Sequence, residues 1–89
     1  MAEPCEHLVD LALDPIPEGG CIDCLAIGGT WVHLRYCVDC KMIRCCDDSP
    51  NRHARKHAET TPHAVIRSAE PGEHWAWCYT HETGIRTDR

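Results

Sequence analysis

Phenylalanine is absent from this chain, and large aliphatic residues are scarce. Val, Ile and Leu number 15 among 89 residues, about 17%. That falls under the ~20% level below which a composition reads as disordered. The 43% hydrophobic content is swelled by eight Cys and eight Ala, which bury little area each. A core drawn from such residues supplies only about 3–5 kcal/mol, so a domain of this size needs a staple. No apolar run approaches the ~18 residues of a membrane span. Basic residues are outnumbered, 9 against 14, giving a formal net charge of −5. That balance argues against a domain built to coat nucleic acid. The first seven residues, Met1 to His7, carry acid where a signal peptide carries base, and no apolar stretch follows. The expectation is a cytoplasmic chain, where a reducing environment favours metal ligation by Cys over disulfides.

Eight Cys and seven His are the staple material. Zinc takes four ligands in a tetrahedron, mainly Cys thiolate and neutral His. Two ligands separated by two residues fit on one tight turn, and the chain has two such pairs, Cys21 with Cys24 and Cys37 with Cys40. Cys78 with His81 is a mixed version, and Cys5 with His7 a shorter clip. Four single positions remain: one of Cys45 or Cys46, then His53, His57 and His63. Together these make twelve ligands, the content of three closed sites; two zincs are the minimum expectation. His33 and His74 have no partner at ligand spacing and read as ordinary histidines. Structural zinc contributes about 10–16 kcal/mol of apparent binding free energy, which is folding energy. Even one ion therefore exceeds the whole estimated core.

One domain is expected over 1–89, with a core at about 5–81 and a flexible tail at 82–89. The lead-in is punctuated by Pro and Gly, with Leu8, Val9, Leu11 and Leu13 packing one short turn. Strand composition marks 31–36, 41–44, 63–67 and 75–79. A helix is expected over 50–59, capped by Asp48 or Ser49, with Pro50 at its first position. Gly28-Gly29 and Pro71-Gly72 read as turns.

The run Cys37, Cys40, Cys45, His53, His57, His63, then Trp77-Cys78-Tyr79, resembles the UBP-type zinc finger. That is the ubiquitin-binding domain attached to certain deubiquitinases, a cytoplasmic histone deacetylase and a ubiquitin ligase. The segments 45–50 and 68–73 look like the compact stand-alone version found in bacteria. The resemblance implies an α+β fold: a small zinc-stapled domain, its twisted antiparallel sheet packed on one main helix, with interleaved zinc sites. It also implies the pairing. Cys5, His7, Cys78 and His81 would close one site across the termini. Cys21, Cys24, Cys45 and His53 would form the second, with Cys46 competing for the place of Cys45. Cys37, Cys40, His57 and His63 would form the third. Family members that bind ubiquitin grip its C-terminal Gly-Gly carboxylate, using an Arg two residues after the single Cys and aromatic walls. Here that position is Asp47, or Asp48 counted from Cys46. Like charges repel, so the usual ubiquitin grip is not expected. Trp77 and Tyr79 match aromatic positions of the family, and Trp31 is a third candidate.

The resulting expectation is a non-catalytic interaction module for a protein or peptide. The alternatives are a nucleic-acid binder using Arg52, Arg55 and Lys56 on one helix face, and a redox-active zinc-thiolate protein using the surplus Cys45 or Cys46. An enzyme is not expected, because a catalytic zinc keeps an open position and the twelve-ligand tally closes every site. Removing metal with a chelator should unfold the domain. Circular dichroism and amide dispersion should both collapse; native spectra after complete metal removal would contradict the zinc-stapled reading.

Overall fold

The structure, a computed structural model, describes residues 5–8, 11 and 13–87. Val9, expected to help pack the lead-in, lies outside the described residues. Five strands form one antiparallel sheet: β1 (Leu34–Cys37), β2 (Ile43–Cys45), β3 (Val65–Ser68), β4 (Trp75–Cys78) and β5 (Thr83–Arg86), in the order β2-β1-β3-β4-β5. Two helices flank the β1–β2 side, α1 (Ile22–Ile27) and α2 (His53–Thr60). A single 3-10 turn, Glu6–Leu8, packs against β4 at the other side. The α+β sheet-and-helix architecture is the expected one, with a second helix added.

That second helix, α1, stands where the Cys21–Cys24 spacing predicts only a tight turn. Its six residues are too few to hold a helix by propensity. Sulfur does the capping instead: Cys21 Sγ accepts from the Cys24 backbone N–H at 3.3 Å. Gly28, at φ 68°, closes the other end in the left-handed region, donating its N–H to the Cys24 carbonyl.

The long helix starts later than expected, at His53 instead of Pro50. Neither Asp48 nor Ser49 caps it. Ser49 is buried and its hydroxyl oxygen accepts from Val32 N–H at 2.8 Å. Arg52 takes the cap position in a left-handed conformation, with no side-chain cap. The His53 backbone N–H donates to Cys45 Sγ at 3.1 Å, so a cysteine sulfur again meets a helix start. Strand limits shift too: β1 begins at Leu34, leaving Trp31, Val32 and His33 before it, and β2 runs on to Cys45.

The expected tail contains β5. Thr83–Arg86 pairs along β4 from Trp75↔Arg86 to Cys78↔Thr83. Its polar sequence hid an edge strand, in which only alternate residues face the protein. Two small clusters account for eight of the fourteen buried hydrophobic residues among those described. One joins Cys5, Leu8, Val65, Ala76 and Cys78; the other is Cys21, Cys24 and Cys45 with Trp31 and Leu34 against it. Buried Arg67 ties the lead-in to β3, donating to the Asp14 carbonyl at 2.6 Å.

Gly84 sits opposite Trp77 in the β4–β5 register. A side-chain carbon there would lie 2.9 Å from the Ala76 carbonyl oxygen and 3.0 Å from the Trp77 ring. Gly84→Val should cost about 1–3 kcal/mol through this overpacking. A denaturation midpoint of the zinc-loaded variant equal to that of the parent would contradict the β4–β5 register.

Candidate metal centres

The fold brings the twelve Cys and His of the tally into three groups of four. They are Cys5, His7, Cys78 and His81; Cys21, Cys24, Cys45 and His53; and Cys37, Cys40, His57 and His63. Within each group all donor atoms lie within 4.8 Å of one another. The first group joins the N-terminal 3-10 turn to the end of β4 and the turn beyond it. The other two alternate along the chain, and α2 contributes to both through His53 and His57, one helical turn apart.

In the second and third groups the separations match one common ion each, while the terminal group is tighter than that along its Cys5–His81 edge. Zinc at about 2.3 Å from sulfur and 2.0–2.1 Å from nitrogen gives tetrahedral edges of about 3.8 Å for S···S, 3.5 Å for S···N and 3.3 Å for N···N. Cys24 Sγ and Cys45 Sγ are 3.8 Å apart, and His53 Nδ1 lies 3.3 Å from Cys21, 3.3 Å from Cys24 and 3.5 Å from Cys45. His57 Nε2 is 3.5 Å from both Cys37 and Cys40 and 3.1 Å from His63 Nδ1. In the terminal group, His81 Nδ1 stands 2.8 Å from Cys5 and 3.6 Å from Cys78, and His7 Nδ1 is 3.2 Å from Cys78.

Backbone donors prepare the sulfurs for negative charge. Cys40 N–H points at Cys37 Sγ at 3.5 Å, as Cys24 N–H does at Cys21. Side chains add an outer layer, which orients ligands and tunes the ion. Arg44 donates to Cys40 Sγ at 3.3 Å and, through Nε, to Asp23 at 3.0 Å, tying β2 to α1. Asn51 Nδ2 lies 3.7 Å from Cys24 Sγ.

Before an ion arrives, the three groups differ in readiness. Burial, then crowding by the Cys21 and Cys45 thiols, pushes Cys24 up to about 11. At Cys78 burial opposes ionisation, but hydrogen bonds from His7 and His81 outweigh it and draw the thiol down to about 6. Burial likewise raises Cys40, and Arg44 reverses the direction. Burial, with Arg44 and His63 nearby, holds His57 below its usual value, in the neutral form that ligates metal.

A second feature lies on the sheet. A cavity of about 210 Å³ is lined by residues including Arg35, Asp47, Arg55, Trp75, Trp77 and Tyr79. The three aromatics alternate along β4 and its exit, so one strand face supplies them all. Arg35 stacks over Trp75 at 4.6 Å, and Arg55 over Tyr79 at 5.2 Å. Asp47 binds Arg55 through both carboxylate oxygens, at 3.0 and 2.6 Å.

Comparison with known proteins then decides the family. The family model described as "Zn-finger in ubiquitin-hydrolases and other protein" matches residues 21–89. The chain belongs to the zf-UBP family. A solved bacterial structure agrees over a longer span: the solution NMR structure of protein RPA1320 from Rhodopseudomonas palustris. It is 41% identical, with a TM-score of 0.80, over 97% of this chain and 84% of that one. No curated protein matches. This zf-UBP chain is thus a zinc-binding domain, and no helix among its described residues is long and apolar enough to cross a membrane.

One expected site residue changes place. Trp31 is not in the aromatic cavity; it packs on Cys21, Cys24 and Cys45, its ring against Gly20. Trp75 and Arg35, beyond the residues the family resemblance implies, also line that cavity. The alternation Trp75-x-Trp77-x-Tyr79 was the available signal for Trp75. The basic stripe on α2 is broken, because Arg55 is engaged by Asp47 and Tyr79.

The structure also separates Cys45 from Cys46. Cys45 Sγ joins the second group, whereas Cys46 Sγ faces the Ser49 hydroxyl at 3.4 Å. Cys45→Ser should lose one tightly held zinc per chain by native mass spectrometry, and Cys46→Ser should retain all of them. The reverse result would exchange the two roles.

Proposed function

We propose that this chain is a non-catalytic interaction module whose three four-ligand groups each hold a structural zinc and whose aromatic cavity receives a protein or peptide. The carrying observation is the cavity itself: Trp75, Trp77 and Tyr79, all half-buried, are presented side by side on a sheet braced by cysteine clusters at both ends. Half-buried aromatics are typical anchors for a partner, offering apolar area at low entropic cost. Closed coordination groups leave the structural zincs no position for a substrate, which supports binding over catalysis.

Size and charge narrow the ligand. About 210 Å³ is below the ~300–1,000 Å³ of small-molecule pockets. It suits one side chain of a longer peptide. With Cys45 in the second group, the position two residues on is Asp47, where ubiquitin-binding members carry Arg. Asp47 is neutralised by Arg55, and Arg35 is paired with Glu73 at 3.7 Å. The pocket therefore has no surplus positive charge for a chain-terminal carboxylate. Burial, then the Asp47 carboxylate, pushes Tyr79 up to about 12, so its hydroxyl keeps its proton as a donor.

The test is a peptide titration of isotope-labelled, zinc-loaded protein. An internal peptide should shift the Trp75, Trp77 and Tyr79 resonances, and Trp77→Ala should weaken binding about tenfold or more, the scale of an anchor residue. Amidating a peptide's C-terminus should make little difference. If only free C-terminal carboxylates bound, or if the aromatic resonances stayed still throughout, this reading of the cavity would be wrong.

A further inference from the structure

Outside the three groups of four, the described residues hold one more convergence of metal donors: His33, Cys46 and Asp48, all within 4.8 Å of one another. Spacing gave no hint of it, because His33 lies thirteen residues before Cys46. Pairing of β1 with β2 creates it. Leu34 is opposite Cys45, and the ladder continues one step, with Cys46 N–H donating to the His33 carbonyl at 3.0 Å. Asp48 is then delivered by the turn that follows, closed by Ser49 N–H donating to the Cys46 carbonyl at 3.1 Å.

We propose that His33, Cys46 and Asp48 form a further metal site, with three protein ligands and an open position, for a divalent ion of the zinc class. The donor set is chemically apt. One sulfur, one imidazole and one carboxylate are all ligands zinc accepts, and three protein ligands plus one exchangeable position is the pattern of open zinc sites. A Cys thiolate and an Asp carboxylate together match the charge of a divalent ion. The other acid of this turn is not a competitor, since Asp47 is held by Arg55.

An outer layer is present as well. The Ser49 hydroxyl oxygen accepts from Val32 N–H, which leaves its own hydrogen able to point at Cys46 Sγ, 3.4 Å away. Such a contact orients a ligand sulfur. The entry path is open: Cys46 is buried, but His33 and Asp48 are both exposed. Three ligands, two of them exposed at the surface, hold an ion less tightly than four in a closed group. The site therefore fills after them and exchanges. Cys46 and Asp48 also line the aromatic cavity, so an ion here sits beside whatever that cavity binds.

The experiment starts from full-length protein already loaded with its tightly held zinc and freed of excess. Zinc is then added against a chelator buffer, and ions per chain are counted by native mass spectrometry. The parent should take up one further, weaker equivalent, and Cys46→Ala should not. His33→Ala and Asp48→Asn change exposed residues and keep the fold intact even if Cys46→Ala does not. Each should weaken the last equivalent by at least the about 10–100-fold typical of losing even an outer-layer partner. Cobalt added in place of the last zinc should give a thiolate charge-transfer band that disappears in Cys46→Ala. No further equivalent in the parent, or one that His33→Ala and Asp48→Asn leave unchanged, would overturn the proposal.

Discussion

Sulfur and imidazole meeting around a shared ion is the interaction on which everything else in this molecule rests. Seven of the fourteen buried hydrophobic residues among those described are Cys. What should be an apolar interior is thus largely a set of ligand atoms. A thiol buried among other thiols resists ionisation, as Cys24 shows, and thiolates gathered without a cation repel one another. The same packing becomes favourable once a divalent charge sits at the centre. Core formation and metal binding are therefore one event in this chain.

This dependence explains local structure that propensity does not. Six residues make a helix at α1 because Cys21 is both cap and ligand. The start of α2 moves to His53 because its N–H meets Cys45 Sγ, and its two His then reach two different groups. Alternating ligands along the chain lock β1, β2, α1 and α2 to one another without a large apolar interface. The terminal group does the same for the far side, tying residues 5–7 to β4 across more than seventy positions of sequence.

A core built to be stapled by metal lets the sheet leave aromatic side chains half-buried. Trp75, Trp77 and Tyr79 sit on one face of β4, flanked by Arg35 and Arg55. A fold of this size built on apolar burial would have drawn those rings inward. Asp47 matters here for what it does to Arg55. It holds that guanidinium bidentately, and bidentate pairing is the strong form of this contact. The cavity's charge is settled within the protein.

By itself the sequence determined the chemistry. Cys and His at two- and four-residue spacings demand metal, and scarce aliphatics leave no other source of stability. It also determined the family, because ligand order and the Trp-Cys-Tyr run survive as linear patterns. Strands β3 and β4 were legible from their aromatic and β-branched runs. Only the tertiary structure decided features made by distant pairing. Polar β5 becomes a strand because β4 offers an open edge, and an edge strand needs little apolar sequence. Trp31, chemically identical to the cavity aromatics, goes to the cysteine cluster because it precedes β1 on the α1 side. Cys45 and Cys46 are neighbours in sequence, yet successive side chains of an extended segment point to opposite faces. One therefore joins three ligands of the second group. The other meets His33 and Asp48.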